Sequence, residues 1–270
     1  MSGIGGALAA FLAVGVAACA GSEAGHNQAN ITESTLRTTT VQEATPLPSG
    51  ATERVRFRAS DGVALEGTLF GNGRTAVVLS HMGRGGDTQE DWYGTAAALA
   101  EHGFTALTYN RRGVCPGGSD SDDCSEGSDD LAASWQDVVG AAAYVESRGA
   151  RRVVLVGASI GAMSSLFAAA SGRVQTAGIL EVGGINHASG YDFGRGEIAR
   201  IEGAKIFASS RGDVYGGAVA ARQWYRWASS PKRLVILAGA EHGTDMLAAG
   251  GPTARRLEGV ILDFVTSLDR

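Results

Sequence analysis

Apolar and polar positions alternate over residues 54–59, where Val55, Phe57 and Ala59 are separated by polar and charged residues. That period of two predicts a half-buried strand. Asp61-Gly62 marks a turn, 63–70 predicts a second strand, and Asn72-Gly73 turns the chain again. Residues 75–80 contain the unbroken apolar run Ala76-Val77-Val78-Leu79, the pattern of a strand buried on both faces of a parallel sheet. Helical composition follows over 88–102, with Gly103 placed as a stop. A strand over 104–109, a polar loop over 110–128 and a helix over 129–147 come next. A buried strand over 153–156 ends at Gly157, and a helix covers 160–170. The second half predicts strands over 176–182, 205–209 and 234–238, with helices over 217–228 and 253–268. Two hairpin-like strands followed by β-α alternation imply a mostly parallel sheet flanked by helices, an α/β fold.

Composition narrows the class. Of 270 residues, 40 are glycine, about twice average usage. No Gly-X-Y period accompanies them, which excludes collagen, and no repeat of fixed period suggests a solenoid or propeller. A hydrophobic fraction of 44% with 19% charged residues is that of a globular chain. The net charge of −5 argues against an electrostatic grip on nucleic acid.

The first 51 residues read as separate from the fold. Residues 4–20 form an apolar run the length of a signal-peptide core, short for a membrane span. It ends in Val16-Ala17-Ala18-Cys19, which resembles a bacterial lipobox. The resemblance implies cleavage before Cys19, lipidation of that cysteine and a membrane-anchored place in the cell envelope. The segment before the run carries no Lys or Arg, a departure from the usual signal peptide, so an uncleaved anchor or a secreted form stays open. Residues 21–51 are polar and end in Pro46-Leu47-Pro48-Ser49-Gly50, the composition of a flexible linker. The folded domain is expected over 52–270. Cys115 and Cys124 lie in a Gly/Ser/Asp-rich loop. In an oxidising envelope they are expected to pair, stabilising by roughly 2–3 kcal/mol through loop closure. No further Cys or His lies close enough in sequence to complete a zinc site.

The chemistry concentrates where predicted strands end. Gly157-Ala158-Ser159-Ile160-Gly161 joins a buried strand to a helix. A serine there must occupy a sharp turn, with small residues on either side because strand and helix cross closely. The turn exposes the hydroxyl at a helix N-terminus, where developing negative charge is favoured. A serine hydroxyl needs a base. Of the five histidines, His242 lies just after the last strand, in Ala240-Glu241-His242-Gly243, and would return over the same sheet edge. The base needs an acid to fix its tautomer. Asp213, after the strand over 205–209, is the first choice, with Glu181 and Asp192 as alternatives.

With these residues in place, the chain resembles the α/β-hydrolase family over roughly 52–270. The carriers are Ser80-His81-Met82-Gly83-Arg84-Gly85-Gly86, the Gly-x-Ser-x-Gly turn, Gly212-Asp213 and Glu241-His242-Gly243. The order Ser159, Asp213, His242 is the family's order. The resemblance implies an oxyanion hole built from the N–H of Ile160 and one from the loop after the third strand. Met82 stands where the family has its first glycine, so Met82 and Gly83 both remain candidates. His81 would order that loop rather than act as base. Asn110-Arg111-Arg112-Gly113 resembles the family's Asp-x-Arg-Gly segment, with Asn110 in place of the acid.

Other signals change less. The acidic loop with Asp120, Asp122, Asp123, Glu126, Asp129 and Asp130 misses the EF-hand spacing and reads as solvated. Trp224, Tyr225 and Trp227 read as packing residues. Only about twenty residues, 183–203, separate two late strands, too few for a large cap. The implied function is a serine esterase acting on a small-molecule ester, dienelactone-hydrolase-like, with no cofactor and no metal. A peptidase, an acyltransferase or a non-catalytic envelope protein on the same fold are the alternatives.

Overall fold

The computed structural model describes residues 47–118 and 122–269. The apolar leader, Cys19, the linker up to residue 46 and Asp120 of the acidic loop lie outside the described residues.

Along the chain, strands β1 (Ala51–Arg58), β2 (Ala64–Phe70) and β3 (Thr75–Ser80) precede helix α1 (Tyr93–Glu101). Then come β4 (Thr105–Tyr109), α2 (Trp135–Ser147), β5 (Arg152–Ala158), α3 (Ile160–Ala170) and β6 (Gly178–Val182). A small hairpin, β7 (His187–Ala188) and β8 (Tyr191–Asp192), leads to α4 (Arg195–Arg200) and β9 (Ala204–Ser210). The chain closes with α5 (Gly217–Trp227), β10 (Lys232–Leu237), α6 (Asp245–Ala248) and α7 (Gly251–Leu268).

Eight strands form one sheet in the order β1-β2-β4-β3-β5-β6-β9-β10. β1 with β2 and β2 with β4 are antiparallel, and every later pairing is parallel. The period of two decides the layers. Val78, Val153, Leu155 and Phe207 point to a core shared with α2, α3 and α5. Val77, Leu79, Val154 and Val156 point to the opposite core, shared with α1 and α7. Strands buried on both faces cannot alternate in polarity, which explains the continuous apolar runs. β4 and β5 flank β3, so successive crossovers diverge at the carboxyl ends of β3 and β5. In open α/β sheets such a switch point leaves a crevice for ligands.

Local chemistry trims several predicted elements. β1 begins at Ala51, one residue before the expected start of the domain. The helix expected over 88–102 opens as a 3-10 turn, Gln89–Trp92. Thr88 Oγ1 accepts from the Glu90 amide and Asp91 accepts from the Thr88 amide, a capping box that tightens the first turn. The helix expected over 129–147 likewise opens in a 3-10 turn, Leu131–Ala133, capped by Asp130. β6 starts at Gly178 rather than 176, because the Thr176 hydroxyl folds back on Gly178.

The segment before β9 holds the β7–β8 hairpin and α4, and no cap domain. The hairpin is pinned by Tyr191, whose hydroxyl accepts from the Trp135 amide at 3.0 Å and meets Ser134 and Ser164 at 3.1 and 3.2 Å. Trp224 is fully buried in the core, and Tyr225 and Trp227 pack against it. No helix among the described residues is long and apolar enough to cross a membrane.

Candidate active site

β5 delivers the chain into the turn that carries Ser159. The serine sits at φ 52°, ψ −117°, and shares its positive φ among described non-glycine residues only with Ser189. Holding such a residue costs about 1–3 kcal/mol, and the surroundings over-determine it. The Ser159 amide donates to the Val182 carbonyl at 3.0 Å. A side chain at Gly161 would collide with the carbonyls of Ser80 and His81, and one at Gly157 with the carbonyl of Gly161. Both glycines are therefore required by the crossing of α3 over β3 and β5.

Asp213 follows β9 and His242 follows β10, so both reach the same sheet edge from neighbouring strands. His242 Nε2 lies 2.8 Å from Ser159 Oγ, and His242 Nδ1 lies 2.8 Å from Asp213 Oδ2. The Asp213 side chain is fully buried. Ser209 Oγ donates to its Oδ2 at 3.3 Å and the Tyr215 amide to its Oδ1 at 2.9 Å. A carboxylate only accepts, so Nδ1 carries the imidazole proton and Nε2 presents a lone pair to the serine hydroxyl. The three side chains are spread over 83 residues of sequence and meet within hydrogen-bond distance.

The loop after β3 closes the other side of Ser159. Met82 is buried, and its side chain fills the space beneath Gly243 and Ala158. Gly83 lies so close to Ile160 that an added Cβ would sit 2.8 Å from its Cγ2. Among the described residues, no carbonyl or side chain accepts from the amides of Met82, Gly83 or Ile160. All three donors are thus unpaired, and Gly83 lies against Ile160, the residue directly after the serine.

Residues 77–267 match the sequence model of the alpha/beta hydrolase family. The chain belongs to this family. No curated protein matches it in sequence. Among solved structures, it is similar to Est1E from Butyrivibrio proteoclasticus with ferulic acid bound, at 13% identity and a TM-score of 0.64, covering 79% of this chain and 99% of that one. It is also similar to the enol-lactonase of Burkholderia xenovorans LB400, at 16% identity and a TM-score of 0.61, covering 78% and 99%. A dienelactone hydrolase from Anabaena variabilis gives 16% and 0.62, covering 81% and 98%. At these identities the likeness speaks to the hydrolase fold.

The remaining histidine and carboxylate candidates of this hydrolase fall elsewhere. His81 Nε2 accepts from the Arg111 amide at 3.1 Å. Burial, then the Arg111 charge, hold its pKa down to about 3, so it is neutral. Glu181 is buried in β6, where its carboxyl accepts from the Gly184 amide at 2.9 Å. Burial raises its pKa well above the carboxylate range. Asp192 is exposed and pairs with His187.

Two contacts around the site were not legible in the sequence. Arg84 makes a bidentate pair with Asp245, both bonds 2.8 Å, and also contacts Asp87. It ties the loop after β3 to the turn that carries His242, across 161 residues. The Tyr215 ring packs on the His242 imidazole, centroids 4.6 Å apart. Neither contact follows a periodicity or motif that would flag it.

Behind the loop, Asn110 fills the family's acid position by taking a hydrogen bond from the Gln89 amide and donating to the Asp123 carbonyl. Arg112 is buried against Asp137 and reaches Asp61. Cys115 and Cys124 are joined in a disulfide. In the acidic loop, Asp123 pairs with Arg54 and Asp129 with Arg111. No cluster of three or more metal-ligating side chains is found among the described residues.

Proposed function

We propose that the chain is a serine hydrolase that cleaves a carboxylic ester, or a related acyl bond, through an acyl-enzyme. The carrying observation is the unbroken contact from Asp213 through His242 to Ser159 on the strained turn. Ser159 Oγ attacks the substrate carbonyl as His242 Nε2 takes its proton. Charge on the carbonyl oxygen is met by the amide of Ile160 and by an amide of the Met82–Gly83 segment. His242 then gives its proton to the leaving alcohol oxygen, and the acyl group stays on Ser159. Water repeats the sequence: His242 takes its proton, the hydroxide adds to the acyl carbon, and Ser159 leaves with the proton returned. Asp213 holds the imidazole tautomer and stabilises the imidazolium between these transfers.

The absence of a cap over residues 183–203 favours small or soluble substrates over long-chain lipids. The enol-lactonase and the dienelactone hydrolase among the structural neighbours accord with an ester or lactone bond. Export to the envelope with lipidation at Cys19 belongs to the same proposal and rests on the Val16–Cys19 motif.

A fluorophosphonate probe tests the chemistry. It should label the wild type at Ser159 and leave Ser159→Ala unlabelled. Hydrolysis of p-nitrophenyl acetate should vanish in the same variant. Equal labelling of the two proteins would sink the proposal.

A further inference from the structure

Among the described residues, five large hydrophobic side chains are exposed, and three of them, Val214, Tyr215 and Val219, fall in one segment directly after Asp213. They are 83%, 56% and 62% exposed. Clustered exposed apolar side chains mark interaction sites and ligand-binding grooves. The position of these three says which. The Tyr215 ring lies against the His242 imidazole, centroids 4.6 Å apart and planes inclined by 52°. Its backbone is fixed as well, because the Tyr215 amide donates to Asp213 Oδ1 at 2.9 Å. The ring is thus held to the catalytic pair from both ends.

The proposed reaction supplies the occupant. His242 Nε2 must hand a proton to the leaving oxygen, so that oxygen comes within hydrogen-bond reach of the imidazole edge. The group attached to the oxygen then emerges beside the face that Tyr215 occupies. The carbonyl oxygen is held on the other side, by the amides of the Met82–Gly83 loop and the start of α3. We infer that Tyr215, with Val214 and Val219, forms an apolar shelf for the alcohol portion of the substrate, and that the enzyme selects esters of flat, ring-bearing alcohols. This inference rests on the serine-hydrolase reading and adds to it the class of leaving group. The rigid aromatic face stacks on an aryl group and offers little to a methyl or ethyl group.

The test uses two substrate series on the full chain. One varies the alcohol at constant acid: methyl, ethyl, phenyl and 2-naphthyl acetate. The other varies the acid at constant alcohol: 2-naphthyl acetate, butyrate and hexanoate. Each variant is compared with wild type on the same substrate, so intrinsic ester reactivity cancels. Tyr215→Ala should lower kcat/KM for 2-naphthyl acetate about tenfold more than for methyl acetate, the scale of one aromatic contact. Tyr215→Phe, which keeps the ring, should restore the aryl preference. Across the acid series the Tyr215→Ala loss should be constant.

A loss in Tyr215→Ala that is the same for methyl and naphthyl esters, with a shifted pH profile, would mean the ring only props His242, and the inference falls. No change on any ester also overturns it. Both outcomes leave the serine-hydrolase reading standing so long as the fluorophosphonate still labels Ser159. If wild type is neither labelled nor active, that reading fails first and takes the shelf with it.

Discussion

Asp137 offers the sharpest test of how the site is braced. Its side chain is fully buried at the start of α2 and is wrapped by one arginine. Arg112 donates from Nε at 2.9 Å, from Nη2 at 2.7 Å and from its backbone amide at 2.9 Å. The arginine is itself only 6% exposed. Its second partner, Asp61, is 29% exposed and takes the outer edge of the guanidinium at 2.8 and 3.1 Å. Asp137→Ala would leave a buried guanidinium with a single, partly wet partner and an orphaned amide. Removing one member of a buried pair costs about 3–5 kcal/mol. Asp61 survives the substitution, so the lower half of that range, about 3–4 kcal/mol, is expected. For a domain of this size each kcal/mol moves Tm by about 2–4 °C, giving a fall of about 6–16 °C. Thermal unfolding at pH 7 followed by circular dichroism reads the shift, and urea titration checks that the m-value is unchanged. Asp137→Asn keeps the volume and removes the charge, so it separates charge from packing and should lose nearly as much. A Tm within 2 °C of wild type for both variants would refute the reasoning, because the pair would then be energetically replaceable by water.

Two further outcomes follow from buried groups near the serine. Burial raises the Glu181 pKa, opposed by the Gly184 amide. Its folded pKa therefore lies above its unfolded one, so its contribution to stability is complete below about pH 4.3 and is lost as pH rises towards the folded pKa. The slope is at most about 1.4 kcal/mol per pH unit for one proton. Glu181→Gln should gain Tm relative to wild type between pH 5 and pH 8, and parallel Tm-against-pH curves for the two proteins would contradict it. Gly161→Ala would drive a Cβ towards the carbonyls of Ser80 and His81, the latter at 2.6 Å. Overpacking of about 1–3 kcal/mol is expected, together with slower fluorophosphonate labelling as the loop after β3 is pushed away from Ile160. Wild-type stability with a wild-type labelling rate would show that the crossing tolerates a methyl group.

Glycine and serine at 157–161 were legible because their constraint is local. A strand that turns at once into a helix needs small residues at fixed offsets, and sequence records fixed offsets. The α/β layering was legible for a similar reason, since a strand covered on both faces must be apolar throughout. The capped 3-10 turns before α1 and α2 were read as helix because their first turns share helical composition. Only the hydrogen bonds of Thr88 and Asp130 tighten them. The β7–β8 hairpin escaped because two-residue strands carry no period. Tyr191 anchors it through a hydroxyl whose partners lie 27 to 57 residues away.

By itself, the sequence determined the order of the sheet strands and the longer helices, the elbow and the chain order Ser159, Asp213, His242. Each of these is written in local spacing and patterning. Tertiary structure decided which carboxylate meets His242, because strand order, not sequence distance, brings β9 and β10 to the edge beside β5 and β6. It also decided that Arg84 reaches Asp245 and that Tyr215 leaves an apolar face beside the imidazole. Both depend on where a loop lands once the sheet has assembled, and no periodicity along a chain encodes a contact that only packing creates.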